Sequence, residues 1–250
     1  MPQVGFIVAT LLGALPALAG LYYVLRGFQG GFEERRLFIG FVVGLLIGIA
    51  GFLFHVFIDP VIFPPSPLGW LVYVAGFALL ENLMMFSVLN YKYYRQRPES
   101  PFYGVSIGMG FSATVSMALI YRLLAAYPDL TIEVGGLLAI AAVAGAGAIM
   151  MRAGTGALIG AGSVRGEPWP WLGRAILAQL PFATLYMLLF YAGHPDYPQF
   201  PLIWSVPVLA GMLAYSFWLV RLVMRGALRE ALPGQVKRKL RRAIRGRSAG

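Results

Sequence analysis

Long apolar stretches separated by short polar connections form the dominant pattern of the chain. A helix needs about 20 apolar residues to cross about 30 Å of hydrocarbon. The segments that meet this length are Val4–Leu25, Leu37–Ile58, Leu68–Asn90, Phe102–Leu124, Glu133–Ser163, Leu172–Ala192 and Leu202–Met224. The pattern therefore predicts an all-α polytopic membrane protein, a bundle of about seven transmembrane helices. The fifth segment is longer than a crossing requires, so we expect either one long helix or two pieces that separate near Arg152.

Composition supports the same fold class. The 250 residues are 59% hydrophobic and 12% charged, with a mean hydropathy of +0.73. A soluble domain has about 25% charged residues. The sequence contains no cysteine, which excludes disulfides and thiolate metal sites.

Charged residues alternate between the predicted loops. The first, third and fifth loops and the C-terminal tail are basic, whereas the second, fourth and sixth contain Asp59, Asp129 and Asp196 without Lys or Arg. Basic loops mark the cytoplasmic side of a membrane. The sequence thus predicts an outside N-terminus and a cytoplasmic C-terminus, with the cytoplasmic membrane as the expected location.

The predicted bundle occupies residues 1–225, and a basic tail occupies residues 226–250. Within the tail, Val236, Leu240 and Ile244 share one helical face, and basic residues cover the rest. Such a helix is typical of binding to anionic lipid headgroups. Ribosomal RNA is an alternative partner, a purely topogenic tail is another interpretation, and DNA is not expected. The basic residues are Lys237, Arg238, Lys239, Arg241, Arg242 and Arg245.

Small residues recur at intervals of four in three of the predicted spans. Because residues four apart lie on one helical face, such stripes allow membrane helices to approach closely. We expect them to form the centre of the bundle, with a dimer or partner interface as the alternative, above all for the second span. The glycines are Gly40, Gly44 and Gly48 in the second span, Gly104 and Gly108 in the fourth, and Gly156 and Gly160 in the fifth.

Few polar side chains fall inside the predicted spans, and these are the candidate site residues. Glu81 and Asn82 lie in the third span, Arg152 in the fifth and His55 near the end of the second. A carboxyl group in a membrane is expected to be neutral or paired. Arg152 is the candidate partner of Glu81, as a packing contact or as part of a functional site. One histidine with Asp59 does not complete a zinc site, so no metal or cofactor is expected.

Several protein classes are excluded by missing residues. The only lysines are Lys92, Lys237 and Lys239, all outside the predicted spans, so a retinal Schiff base has no lysine to form on. The sequence has neither a phosphate-binding loop ending in Gly-Lys-Ser/Thr nor a dinucleotide fingerprint.

Three segments resemble motifs of the PrsW-type branch of the CAAX-protease superfamily of intramembrane proteases. Gly76–Leu83 resembles the helix with paired glutamates, Tyr103–Ser116 resembles a glycine-rich signature that ends in Glu-Asn, and Arg152–Gly160 resembles the segment that carries a histidine. The resemblance implies the fold of that family and a site built on these helices.

The catalytic residues that the family pattern requires are incomplete. The glutamate pair is reduced to Glu81, Val115 and Ser116 replace the second Glu-Asn, and Gly154 or Gly156 occupies the histidine position. Water activation needs a metal or an acid/base pair. The sequence therefore favours a non-catalytic pseudoenzyme, a scaffold, chaperone or complex subunit that binds other membrane proteins.

Two alternatives to the pseudoenzyme remain open. One is an active intramembrane protease, a hydrolase that uses Glu81, and the other is a transporter or lipid-handling protein with Glu81 and Arg152 at the midplane. The predicted topology is also similar to seven-helix scaffolds, such as the scaffold subunit of gamma-secretase and a subunit of the multipass translocon. That similarity is an analogy of topology.

Overall fold

The computed structural model of the protein describes residues 2–62, 67–126, 132–191 and 204–231. Within these ranges the chain is almost entirely helical and contains no strand. Seven of the helices described are long and apolar enough to cross a membrane, as the sequence predicts. The elements are α1 (Pro2–Leu25), a 3-10 turn (Arg26–Phe28), α2 (Glu34–Ile62), α3 (Pro67–Leu89), α4 (Ser100–Ala126), α5 (Ile132–Arg165), α6 (Pro168–Tyr191), α7 (Ser205–Arg225) and α8 (Ala227–Ala231).

The fifth span is one continuous helix. α5 runs for 34 residues, from Ile132 to Arg165, so the break considered near Arg152 is not present. At 1.5 Å per residue, such a helix is longer than the hydrocarbon core and extends beyond it.

The bundle extends past residue 225, where the sequence analysis placed its end. Gly226 ends α7, and α8 follows directly with Ala227, Leu228 and Ala231 buried against the other helices. The basic segment from Lys237 to Arg245 lies outside the described residues, so its partners stay predictions.

The most buried helix is α4, which packs against α1, α2 and α5. Glycines set its distance to α5, because a Cβ on Gly104 would overlap the carbonyl group of Gly156, and the reverse also holds. A Cβ on Gly108 would overlap the carbonyl oxygen of Arg152, and one on Gly160 that of Ser100. The two stripes therefore face each other and bring the backbones into direct contact.

The glycine stripe of α2 also faces α4. A Cβ on Gly48 would lie 2.6 Å from the carbonyl oxygen of Phe111, one on Gly44 would overlap that of Ile107, and Gly40 lies beside the Ile107 side chain. The stripe is therefore occupied within the chain, contrary to the alternative that it faces another chain.

The outward faces of the helices are apolar. Large exposed side chains include Phe6 on α1, Leu46 and Phe57 on α2, Leu177 on α6 and Phe217 on α7. Soluble monomers do not expose contiguous apolar surface on this scale. Together with the seven apolar helices, these faces define an integral membrane protein.

Aromatic and basic side chains meet at the end of the bundle formed by the α1–α2, α3–α4 and α5–α6 connections. The guanidinium groups of Arg165 and Arg174 each lie 4.5 Å from the ring centroid of Trp171, which is buried. Trp169 and Tyr91 are exposed, as an interfacial belt requires. Trp171 and Tyr94, by contrast, are buried in the packed interior.

Candidate functional site

Glu81 of α3 and Arg152 of α5 form an ion pair inside the bundle. A guanidinium nitrogen of Arg152 contacts Oε1 of Glu81, and the two residues are only 7% and 3% exposed. The pairing that the sequence suggested is thus present. Burial of either charge alone would be costly, and the cost is offset only when the pair is well matched and its other atoms are hydrogen-bonded.

Gln179 of α6 also contacts the carboxylate. Its Nε2 donates to Oε2 of Glu81 at 2.5 Å, and its Oε1 accepts from Nδ2 of Asn82 at 2.6 Å. Asn82 Nδ2 also donates to the carbonyl oxygen of Ala78 at 2.7 Å. Both carboxylate oxygens of Glu81 therefore have protein donors, and one amide side chain links α3 to α6.

The guanidinium of Arg152 has partners on a further helix, α4. Its Nη1 donates to Oγ of Ser112 at 3.1 Å, and its Cζ lies 4.8 Å from the ring centroid of Phe111. Ser112 in turn donates to the carbonyl oxygen of Ala148 on α5 at 3.2 Å. The cation therefore has a carboxylate, a hydroxyl and an aromatic face around it, a set that suits a desolvated guanidinium.

We call this group the polar cluster; it consists of Glu81, Asn82, Ser112, Arg152 and Gln179. Its members come from α3, α4, α5 and α6, and all are buried. Among the described atoms, Asn82 Oδ1 and Arg152 Nε have no hydrogen-bond partner. The cluster joins four helices by polar contacts that have no water to compete with them.

Gln179 is the member that sequence reasoning missed as a site residue. In the predicted sixth span, Leu172–Ala192, Gln179 is the eighth of 21 residues, closer to an end than Glu81 is in the third span. The helix begins at Pro168, within a tryptophan-rich stretch, and Gln179 lies near its middle. A polar amide within a predicted span was the available signal, but the sequence does not show that this helix packs against α3.

The remaining candidate residue, His55, lies in α2, and its side chain and that of Asp59 are outside the described set. Across the residues whose side chains are described, no group of three or more His, Asp or Glu could hold a metal ion. The polar cluster itself offers one carboxylate, already engaged by a guanidinium and an amide.

Comparison with known proteins finds no matching family model, no similar curated protein and no similar solved structure. The class of the protein, a helical membrane protein, therefore rests on the seven apolar helices found among the described residues.

Proposed function

We propose that this protein is a non-catalytic multipass membrane protein that serves other membrane proteins as a scaffold, chaperone or complex subunit. The observation that carries the proposal is the set of contacts made by Glu81, the single carboxylate of the polar cluster. Arg152 and Gln179 hold its two oxygens, and it is only 3% exposed. A carboxylate held in this way fastens helices together.

The hydrolase alternative needs a different arrangement. A general base must have an oxygen within hydrogen-bond reach of the water that it activates. In this cluster the donors to Glu81 are Arg152 and Gln179. A guanidinium is a hydrogen-bond donor with no acceptor, so Arg152 cannot serve as the base that a catalytic carboxyl group would need.

The relationship to PrsW-type proteases is part of the same proposal. The three segments that resemble the family lie on α3, α4 and α5, and each contributes to the polar cluster. The first contributes Glu81 and Asn82, the second Ser112 and the third Arg152. This convergence supports a shared fold in which the catalytic groups have been replaced by packing contacts.

A surface on the outer side of α3 supports the binding of another membrane protein. Val72, Ala75, Gly76 and Leu79 are exposed there, and no described atom lies within 4 Å of a Cβ placed on Gly76. Small residues allow a second transmembrane helix to approach closely. We define these four residues as the α3 surface and propose it as the contact for a partner helix.

Site-specific photo-crosslinking in the native membrane tests the proposal. A photoreactive amino acid at Ala75 should give adducts of discrete mass with other membrane proteins. The matched control position is Leu46, which is 60% exposed on α2 and surrounded by large apolar side chains. That position should give lipid adducts or none. The proposal fails when the two positions give the same pattern, or when no adduct is reproducible.

The crosslinked proteins then provide the functional test. Their abundance should fall in cells that lack the protein and recover when the wild-type chain is restored. If the abundance of the crosslinked proteins does not depend on this protein, the crosslink reflects proximity alone and not a functional contact. Accumulation of an uncleaved substrate in the deletion strain would instead favour the protease alternative.

A further inference from the structure

A cavity of about 340 Å³ lies between α1 and α7, two helices that contribute no residue to the polar cluster. Tyr23 and Phe28 line one side, and Phe217, Val220 and Met224 of α7 line the other. Its volume is at the lower end of the range for ligand pockets, about 300–1,000 Å³. The lining is therefore mainly apolar and aromatic.

Three arginines also line this cavity: Arg221, Arg225 and Arg229. Arg221 and Arg225 lie one turn apart on α7, so they share a face. Arg229 belongs to α8, whose position is set by burial of Leu228 and its neighbours. The α7–α8 junction therefore brings a third guanidinium to the same cavity.

The three arginines have no ion-pair partner among the described residues. The carboxylate of Glu230, which is adjacent in sequence, pairs with Arg165 instead. A fourth guanidinium, that of Arg26, lies 4.9 Å from the ring centroid of Tyr23, on the opposite wall. Like charges at this spacing repel one another. A helix C-terminus stabilises a cation in its last turn, which applies to Arg225 of α7 and Arg229 of α8 but not to Arg221.

We propose that this cavity binds an anionic phospholipid. Arginine forks suit a phosphate group with paired hydrogen bonds, and basic pockets between transmembrane helices are known to hold anionic headgroups. The phosphate would contact Arg221, Arg225 and Arg229, and the first acyl methylenes would contact Phe217 and Met224.

The surroundings of the cavity favour a lipid over a soluble anion. Phe217, Trp218 and Leu222 are exposed on α7 beside it, at 48%, 55% and 51%. An occupant therefore reaches the arginines along an apolar surface, which suits a molecule with acyl chains. The site differs from the basic tail, because its residues belong to packed helices and its lining is mainly apolar.

Native mass spectrometry of the full chain in detergent tests the inference. Phosphatidylglycerol and phosphatidylcholine are added in equal amounts, and the retained lipid is counted per protein. Wild type should retain phosphatidylglycerol selectively. The variant Arg221→Gln/Arg225→Gln/Arg229→Gln should bind it roughly 100-fold more weakly, from about fivefold per arginine.

A control variant removes the same charge from exposed positions at the same end of the bundle. It combines Arg35→Gln, Lys92→Gln and Arg95→Gln, all exposed, and should bind phosphatidylglycerol as wild type does. Thermal unfolding curves of both variants check the fold. A further variant, Phe217→Ser, changes an exposed wall residue and should weaken retention without a change in charge.

Three results would overturn the inference. The first is equal retention of the two lipids by wild type, and the second is an equal loss in the arginine variant and the control variant. The third is displacement of the lipid by millimolar inorganic phosphate, which would indicate a phosphate site without a role for acyl chains. None of these results bears on the α3 surface, so this inference and the proposed function can fail separately.

Discussion

Arg152 and Glu81 form a buried ion pair between α5 and α3, although 71 positions of the chain separate them. The pair is the centre of the polar cluster, in which Gln179 is hydrogen-bonded to Glu81 and Asn82, and Ser112 to Arg152. Because four helices contribute to it, a change in the packing of these helices would also change the contacts of the Glu81 carboxylate. A packing role and a chemical role of the polar cluster lead to different effects of substitution.

The costs of the two single substitutions in the ion pair should not add up in the double substitution. Glu81→Gln or Arg152→Gln leaves one buried charge without its partner, which costs about 3–5 kcal/mol in the free energy of unfolding. Glu81→Gln/Arg152→Gln leaves two amides that can hydrogen-bond, and its cost should be well below the sum of the single costs. Denaturant titration in detergent micelles provides the double-mutant cycle. Additive costs would contradict the pairing.

Gln179 should tolerate the loss of its amide better than the gain of a charge. Gln179→Leu removes the bonds to Glu81 and Asn82 and should lower the free energy of unfolding by about 1–2 kcal/mol. Gln179→Glu places a second carboxylate beside Glu81 and should cost more than Gln179→Leu, because like charges in a buried site repel. The exposed Thr184 bonds only to its own helix, at Leu180, so Thr184→Val is the matched control and should be nearly neutral.

Glycines at the α4–α5 contact should not tolerate a methyl group. Gly104→Ala and Gly156→Ala each place a Cβ against a carbonyl group of the facing helix, so we expect a loss of about 1–3 kcal/mol in the free energy of unfolding. Gly173→Ala is the control, because no described atom lies within 4 Å of its Cβ. Alanine is the better helix former by about 1 kcal/mol, so this control should be neutral or stabilising. Equal effects at all three positions would contradict the close helix contact.

Tyr94, in the connection between α3 and α4, should make the stability of the protein sensitive to alkaline pH. Burial raises the pKa of its phenol from 10.0 to about 12. Between these values the unfolded chain has released the proton and the folded chain has not, so the free energy of unfolding falls as pH rises through this window, by up to about 1.4 kcal/mol per pH unit. Tyr94→Phe should remove this component of the slope, whereas Tyr91→Phe, at an exposed ring, should keep it.

At neutral pH, Tyr94→Phe should not lower the stability of the protein. The Tyr94 hydroxyl is buried and has no hydrogen-bond partner among the described atoms. Its removal therefore leaves no new unsatisfied group, and Tyr94→Phe should melt at or above the wild-type temperature. A large drop in the melting temperature would mean that the hydroxyl has a partner.

The fold was largely predictable because hydrophobic length alone selects membrane spans. The partnership of Glu81 and Arg152 was also accessible, because an acid and a cation inside spans must be neutralised. The role of Gln179 was not, because it depends on the packing of α6 against α3, which the sequence does not reveal. The α8 helix was also missed, because its short apolar face gains stability only from the helices beneath it.

The most direct measurement is whether the neutral pair Glu81→Gln/Arg152→Gln restores the abundance of crosslinked partner proteins in cells that lack the protein. If the polar cluster only fastens helices, this variant should restore them to the wild-type level, provided that it folds to a similar stability. A stable variant that fails to restore them would assign a chemical role to the Glu81 carboxylate and contradict the proposed function.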